Sequence, residues 1–359
     1  MNWMILLSLP VIFLIWTEIV VSILVLRKEK PLPFLKKKRG KVSILITARN
    51  EENNIGPCLE SLKMQDYDDF EILVADDDSE DKTYEIIQST LSDKMQCFRY
   101  RPGLAKVNPK AMALAFLATK AKGEYLAIAD ADVLYPSTWL CGLLDGLGDG
   151  GIVSGITGVE GSMWQDMEWK TSIRRMALAN RLGMLTSAIG NNMLVRRSAF
   201  DRAGGFESVK LSPTEDQALC DNVKKEGYRA EVLYNNKVLA YTKPIPLTLF
   251  FHQRVRWMNG VMKQPLFVRS LLTLQALVLP VLLLLGGWHL LYASLIFVSW
   301  LLVKSLTDGI LQWQIDRKVR PVYILLYNLC LPVFHLILLV LYLMTGTLEW
   351  KGRKLPAKK

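Results

Sequence analysis

Residues 124–132 read EYLAIADAD: a short apolar run, Tyr125 to Ala129, passes directly into two carboxylates one residue apart, Asp130 and Asp132. A buried parallel strand with an exposed working end has this form. Because residues i and i+2 of a strand point to the same side, both carboxylates can converge on one hard cation.

The segments around this run repeat one unit. Residues 42–47 (VSILIT) read as a buried strand, and Ala48-Arg49-Asn50-Glu51-Glu52 turns into a helix whose Ile55, Leu59 and Leu62 recur at helical spacing. Residues 70–75 (FEILVA) form a second strand ending in Asp76-Asp77-Asp78-Ser79. Ser79 is the expected N-cap of a helix with Glu80 and Asp81 in its first turn and Tyr84, Ile87 and Leu91 facing inward. After a short strand at 96–100, Asn108-Pro109 offers a cap and a first-position proline for an alanine-rich helix expected to stop at Gly123. Alternating strands and helices predict an α/β fold with a Rossmann-like, mixed and mainly parallel sheet, its ligand crevice beyond the carboxyl ends of the strands. The polar clusters at 47–51, 76–79 and 130–132 all fall at such ends.

Past Asp132 the spacing predicts a strand at 152–157, a helix over 164–185, a turn into a strand at 190–195 and a bend at 204–206. Thr214-Glu215-Asp216 then opens a helix to Gly227. Residues 246–262 (PLTLFFHQRVRWMNGVM) mix aromatics with Arg254 and Arg256, as a helix lying in a membrane interface does.

The 359 residues are 51% apolar, but unevenly so. Residues 4–26 carry no charge except Glu18, and 267–306 and 322–348 are also strongly apolar. At the helical rise of ~1.5 Å per residue each is long enough to cross a bilayer, and 267–306 is so long that a hairpin near Gly286-Gly287 is expected. That gives four spans. The first run lacks the basic n-region and small-residue cleavage site of a signal peptide and reads as an anchor. Arg27, Lys28, Lys30, Lys36, Lys37, Lys38, Arg39 and Lys41 follow it, placing that flank in the cytoplasm. With four spans the loop Arg317-Lys318-Arg320 is cytoplasmic and the more basic tail outside; three spans would reverse both. The expected organisation is an anchor (1–26), a basic linker (27–41), an α/β domain (42–245), an interfacial segment (246–266), a membrane region (267–348) and a basic tail (349–359). The chain thus reads as a multi-pass membrane protein with a cytoplasmic α/β domain.

The net charge of +10 owes much to the linker and tail, and basic residues beside spans meet anionic lipid headgroups more often than nucleic acid. Five cysteines without paired short spacing indicate neither a disulfide framework nor a zinc site.

Six elements in order give the chain a family resemblance: ITARNEE, EILVADDDSEDKT, the lysine of NPKAMAL, the DAD cluster, the TED triplet at 214–216 and QRVRW at 253–257. Residues 42–260 resemble the membrane-bound family 2 glycosyltransferases of GT-A fold, and more narrowly the Q-x-x-R-W branch that contains cellulose and hyaluronan synthases and ceramide glucosyltransferase. The resemblance implies that Asp76 and Asp77 hold the nucleotide of a sugar donor, with Thr47, Arg49, Glu51, Lys110 and Asp130 beside it. It implies that Asp130 and Asp132 hold Mg²⁺ or Mn²⁺ against the diphosphate, Asp132 foremost, and that Asp216 is the general base on an acceptor hydroxyl. Glu215, Gln253, Arg256 and Trp257 would face the diphosphate and acceptor. Two positions depart from the family pattern: Asp78 stands where glycine is usual, and Pro109 precedes Lys110 where glycine is common.

These features predict an inverting, metal-dependent glycosyltransferase moving sugar from a nucleotide, a UDP-sugar by expectation, to a hydroxyl of a membrane lipid or lipid-linked glycan. A polyprenyl-phosphate glycosyltransferase, a processive polysaccharide synthase subunit and a catalytically silent membrane scaffold are the alternatives. Three or four spans with few intramembrane polar residues provide little for a polysaccharide channel, which favours single transfer.

Overall fold

The computed structural model describes residues 2–26, 40–101, 107–183, 188–212, 214–262, 264–345, 349–350 and 353–354. The linker residues 27–39, with seven of the eight basic positions named above, and most of the tail lie outside the described residues.

Elements follow in chain order. After α1 (Asn2–Leu26), β1 (Val42–Ala48) leads to α2 (Ile55–Lys63), β2 (Phe70–Asp76) to α3 (Thr83–Ser89), and β3 (Met95–Arg99) to α4 (Pro109–Lys120). Next come β4 (Tyr125–Asp130), β5 (Val133–Leu134), α5 (Trp139–Leu147), β6 (Ile152–Ser154), β7 (Ile156–Val159) and α6 (Met163–Arg181). Then follow β8 (Asn192–Arg196), α7 (Arg197–Arg202), α8 (Glu215–Lys225), β9 (Ala230–Val232) and β10 (Leu239–Thr242). Four helices come next, α9 (Leu247–Val261), α10 (Leu266–Trp288), α11 (Leu290–Asp316) and α12 (Pro321–Met344), before a short pair of strands, β11 (Glu349–Trp350) and β12 (Arg353–Lys354).

These elements divide into two units. In the sheet unit, seven strands run in the order β3-β2-β1-β4-β8-β6-β9. The pairs among β1 to β4 are parallel, β8 is antiparallel to both its neighbours, and β9 is again parallel to β6. The mixed, mainly parallel α/β sheet expected from the sequence is therefore present. Its central strands are mostly apolar because helices cover them, and the inner residues Leu45, Leu73, Leu114, Leu126, Met193 and Val195 share one core. On α2, Ile55, Cys58, Leu59 and Leu62 are the buried positions, the three- and four-residue spacing of one helix face.

Local expectations fail in four places. Residues 152–157 do not form one strand: β6 joins the large sheet, whereas β7 pairs with β10 in a three-stranded sheet, β5-β10-β7. The break is at Gly155, where a Cβ would lie 2.3 Å from the Asn192 amide oxygen. Ser79 does not cap α3, which starts four residues later; Asp81 Oδ1 accepts from the Thr83 backbone N–H at 3.0 Å, while Ser79 Oγ accepts from the Asn50 N–H at 3.1 Å. On α4, Asn108 caps as expected, its Oδ1 accepting from Ala111 N–H at 3.2 Å, but the helix ends at Lys120. Gly123 serves strand packing instead, since a Cβ there would lie 2.5 Å from the Ser43 nitrogen. Finally, Asp132 is not on the strand with Asp130: β4 ends at Asp130, and Asp132 lies in the turn to β5.

The helical unit contains α1, α6 and α9 to α12. Four of these, α1, α10, α11 and α12, are long and apolar enough to cross a membrane. The break between α10 and α11 falls at His289, close to the expected Gly286-Gly287 hairpin. Trp3 packs edge-on to Trp288 at 5.0 Å and Ser8 Oγ lies 3.0 Å from Tyr292 Oη, so the start of α1 and the α10–α11 connection share one end of the bundle. At the other end the polar helix α6 joins the apolar ones. Lys170 reaches Asp316 at 3.0 Å, and Arg175 pairs with Glu18 at 2.8 Å and Asp308 at 2.9 Å. Helix α6 lies within the range 42–245 read from sequence as one continuous domain. Its charges find partners on α1 and α11 instead, which is why it belongs with the helices.

Candidate active site

The carboxyl ends of β1, β2 and β4 are in register: Thr47 pairs with both Ala75 and Asp130, and Ala48 with Asp76. Three acid-bearing loops thereby leave the sheet at one level. Asp76 and Asp77 are each 2% exposed, and the Asp76 Oδ1 atom has no hydrogen-bond partner among the described residues. A buried acceptor of this kind is costly to leave unmatched, and it fits an N–H donor supplied by a ligand.

Arg49 fixes the loop after β2. Its Nη1 donates to the Asp77 and Asp78 carbonyls, both at 2.8 Å, and its Nη2 lies 3.2 Å from Glu80. Glu51 accepts from Asn54 Nδ2 at 2.8 Å and donates its backbone N–H to Thr83 Oγ1 at 2.7 Å. Asn50 and Asp78 adopt φ of 52° and 58°, so two non-glycine residues of facing loops occupy left-handed conformations. Asp78 therefore meets the backbone demand that glycine meets in the family pattern, because aspartate is among the residues that tolerate it.

Asp130 is held at its backbone. Its N–H donates to Tyr135 Oη at 2.9 Å, whose own proton goes to the Asn191 carbonyl at 2.7 Å, and Cys58 Sγ donates to the Asp130 carbonyl at 3.4 Å. Burial pushes the Cys58 thiol and the Tyr135 phenol well above their ordinary values, so both stay neutral. Thr242 Oγ1, from β10, lies 3.2 Å from the Asp132 carbonyl and 3.4 Å from its carboxylate.

Lys110 joins the parts of the site. Its Nζ lies 2.7 Å from Asp130 Oδ1 and 3.3 Å from Glu215 Oε1. Burial alone would depress this ammonium; the charges of Asp130 and Glu215 overcome it and hold the lysine above its ordinary value. Glu215 is 5% exposed and turned inward, accepting from Asn108 Nδ2 at 2.8 Å. Asn108 Nδ2 also donates to the Ser212 carbonyl at 2.9 Å, so the N-cap of α4 is tied to the start of α8.

Asp216 follows Glu215 on α8. Its Oδ2 accepts from Gly190 N–H and its Oδ1 from Gln217 N–H, both at 2.8 Å. Gly190 is required by this approach, since a Cβ there would lie 2.8 Å from Asp216 Oδ2. Burial foremost, and then the neighbouring Glu215 charge, raise Asp216 to about 6, against the opposing pull of Lys110 and the two N–H donors. A carboxylate near pH 6 suits general-base work at neutral pH.

Asp130 and Asp132 supply hard oxygen donors, and no cluster of three or more His, Cys, Asp or Glu among the described residues is placed to hold an ion. Two carboxylates suit a hard divalent ion such as Mg²⁺ or Mn²⁺, which they would hold beside a diphosphate. The Lys110 ammonium on Asp130 shows that this carboxylate already attracts a cation.

Gln253, Arg256 and Trp257 lie on α9, in the helical unit. There the buried arginine is Arg254: it pairs with Glu168 of α6, accepts no solvent to speak of at 3% exposure, and stacks on Phe250 at 4.1 Å and Trp257 at 4.4 Å. Gln253 Oε1 accepts from Arg254, and Trp257 meets Trp169 edge-on at 5.1 Å. Sequence reading did not single out Tyr135, Thr242, Cys58, Gly190 or the Asn108–Glu215 bond as parts of the site. Only Asn108 had a signal, as a helix cap, and nothing local told of its second partner.

Residues 4–359 match the family model described as "Glycosyl transferase family 21". Among relatives, a beta-monoglucosyldiacylglycerol synthase from Trichormus variabilis is 26% identical over 244 residues, 64% of this chain and 52% of the relative. Over 99 residues, 27% of this chain and 37% of the relative, there is 33% identity to the Escherichia coli UDP-Glc:alpha-D-GlcNAc-diphosphoundecaprenol beta-1,3-glucosyltransferase WfaP. The chain thus spans about half the length of the diacylglycerol-related synthases it matches. A mannosyltransferase from Pyrobaculum calidifontis, solved with GDP-Man and Mn²⁺, has a similar fold at TM-score 0.62 and 18% identity, over 94% of this chain and 99% of that one.

Proposed function

The chain belongs to glycosyl transferase family 21, and from that premise we propose that it transfers a sugar from a nucleotide-sugar donor to a hydroxyl of a membrane lipid. The observation that carries this reading is the junction of Asp130, Lys110 and Glu215 next to Asp216, which sets a cation-attracting acid and a raised-pKa carboxylate within one network. A lipid acceptor is supported by the diacylglycerol-based product in the relatives' name and by four helices fit for a bilayer. UDP as the donor nucleotide is supported by the UDP-Glc of the shorter match.

In this reading Asp76 and Asp77 receive N–H donors of the base, and Thr47, Arg49 and Glu51 hold the loop that faces it. Asp216 takes the proton of the acceptor hydroxyl as its oxygen bonds to the anomeric carbon, and the bond from that carbon to the diphosphate breaks. The configuration inverts and the nucleoside diphosphate leaves. A divalent ion on Asp132, shared with Asp130, would supply charge neutralisation for that leaving group. Glu215 acts inside the protein, positioning Lys110, not on the ligand. In this proposal the Q-x-x-R-W pattern at 253–257 gives Arg256 a diphosphate role and Trp257 an acceptor role, with Arg254 stacked on Trp257.

Membranes bearing the full chain, offered a panel of nucleotide sugars with Mg²⁺ or Mn²⁺, should release nucleotide with one donor and yield a glycosylated lipid by mass spectrometry. No release with any donor would overturn the proposal. Near-normal turnover by Asp216→Asn would instead favour an acceptor already ionised, a polyprenyl phosphate.

A further inference from the structure

Between α11 and α12 runs an apolar groove of about 530 Å³, lined by Trp313, Gly309, Ile310, Ile324 and Leu325 among others. It opens at the connection 317–320, where Arg317, Lys318 and Arg320 are all exposed. No carboxylate pairs with any of the three among the described residues, and the adjacent Asp316 is taken by Lys170 at 3.0 Å. Arg320 donates its backbone N–H to Gln312 Oε1 at 3.1 Å, which fixes the connection, and its exposed guanidinium reaches Met163 Sδ at 3.8 Å.

Arg317 is the informative residue. It ends α11 in a left-handed conformation, φ 54°, a place that favours glycine. Its backbone there carries strain, and its guanidinium lies over the Trp313 ring at 4.6 Å. One charge is thus fixed on the aromatic wall of the groove. A cytoplasmic basic loop that only obeyed the positive-inside rule would need neither the strained backbone nor a groove ending beneath it.

We infer that this groove binds an anionic glycerophospholipid, with its phosphate among Arg317, Lys318 and Arg320 and one acyl chain against Trp313, Ile310 and Ile324. Three cations without a carboxylate partner favour a net negative headgroup over a zwitterionic one, whose ammonium they repel. Trp313, 49% exposed, stands where chain and headgroup meet, the level indole rings favour. Gly309 keeps the groove open: a Cβ there would meet Val319 and Ile324 only at 3.7 and 3.8 Å, so a larger side chain would project into the space. The site lies wholly in the helical unit and does not depend on the proposed transfer reaction.

The test uses the full chain in phosphatidylcholine vesicles, with Trp313 emission isolated as the difference between wild type and Trp313→Phe. Phosphatidylglycerol with brominated acyl chains should quench that emission at a mole fraction about fivefold lower than brominated phosphatidylcholine, the factor one engaged cation supplies. Gly309→Leu should weaken quenching by either lipid. The combined Arg317→Asn, Lys318→Gln and Arg320→Gln variant should lose the preference yet stay folded, because asparagine relieves the left-handed strain. Equal quenching by the two lipids in wild type, or a preference that survives removal of all three cations, would overturn the inference.

Discussion

The Lys110 ammonium lies 2.7 Å from the Asp130 carboxylate. The same nitrogen reaches Glu215 at 3.3 Å, so the acid that closes β4 and the acid that opens α8 share one cation, and Asp216 is tuned from both sides. Glu215 raises it and Lys110 lowers it. As a base Asp216 works only when ionised, so activity should fall as pH drops through about 6. Glu215→Gln keeps an acceptor for Asn108 but removes the charge, and should move that acid limb down by roughly one unit. Lys110→Met should move it up. Profiles of kcat/KM against pH for the two variants decide this; a limb that stays in place in both would mean that Asp216 is not the titrating base.

Asp132 sits in the turn after β4, within 3.4 Å of Thr242 Oγ1. Asp132→Ala should therefore abolish divalent-dependent nucleotide release while leaving the thermal transition of the membrane-extracted protein within about 1 kcal/mol of wild type, as for a partly exposed turn position. Retained metal-dependent turnover would remove Asp132 from its assigned role.

Asp78 offers a test of backbone strain. At φ 58° it carries the cost of a left-handed residue, and its ion pair with the exposed Arg101 contributes little. Asp78→Gly should be neutral or mildly stabilising, and Asp78→Val should cost about 1–2 kcal/mol, with raised KM for the donor because the Asp76–Asp77 loop is displaced. Equal stability of the two variants would show that the turn does not need this conformation.

The parallel core was readable because VSILITA, FEILVAD and YLAIAD are mostly apolar runs, the last two ending in acid and the first leading into the Arg49-Asn50-Glu51 turn. Their register then places Thr47, Asp76 and Asp130 at one level, which spacing alone implied. What the sequence concealed depends on partners far along the chain. Glu215 reads as a helix-opening acid like Asp216, yet its neighbour 107 residues earlier turns it inward. Gly155 reads as part of a strand, yet the Asn192 side chain occupies the space any Cβ would need. Helix α6 reads as part of the sheet domain because its polar composition matches that domain, and only the distant Glu18, Asp308 and Asp316 reveal where its charges are spent.

The same reasoning separates two arginines of one motif. The pattern at 253–257 draws attention to Arg256, but Arg254 is the one buried, with Nε 3.2 Å from Glu168 and its face on Phe250 and Trp257. Removing one partner of such a pair leaves a charge without compensation in a poorly solvated place. Arg254→Met or Glu168→Ala alone should then lower stability by about 3–5 kcal/mol, while replacing both by apolar residues should cost much less. Thermal midpoints of the four proteins in one detergent form the required cycle. Near-additive losses would show that the pair acts through separate contacts, whereas recovery in the double variant would establish Arg254 as the structural arginine and leave Arg256 for ligand chemistry.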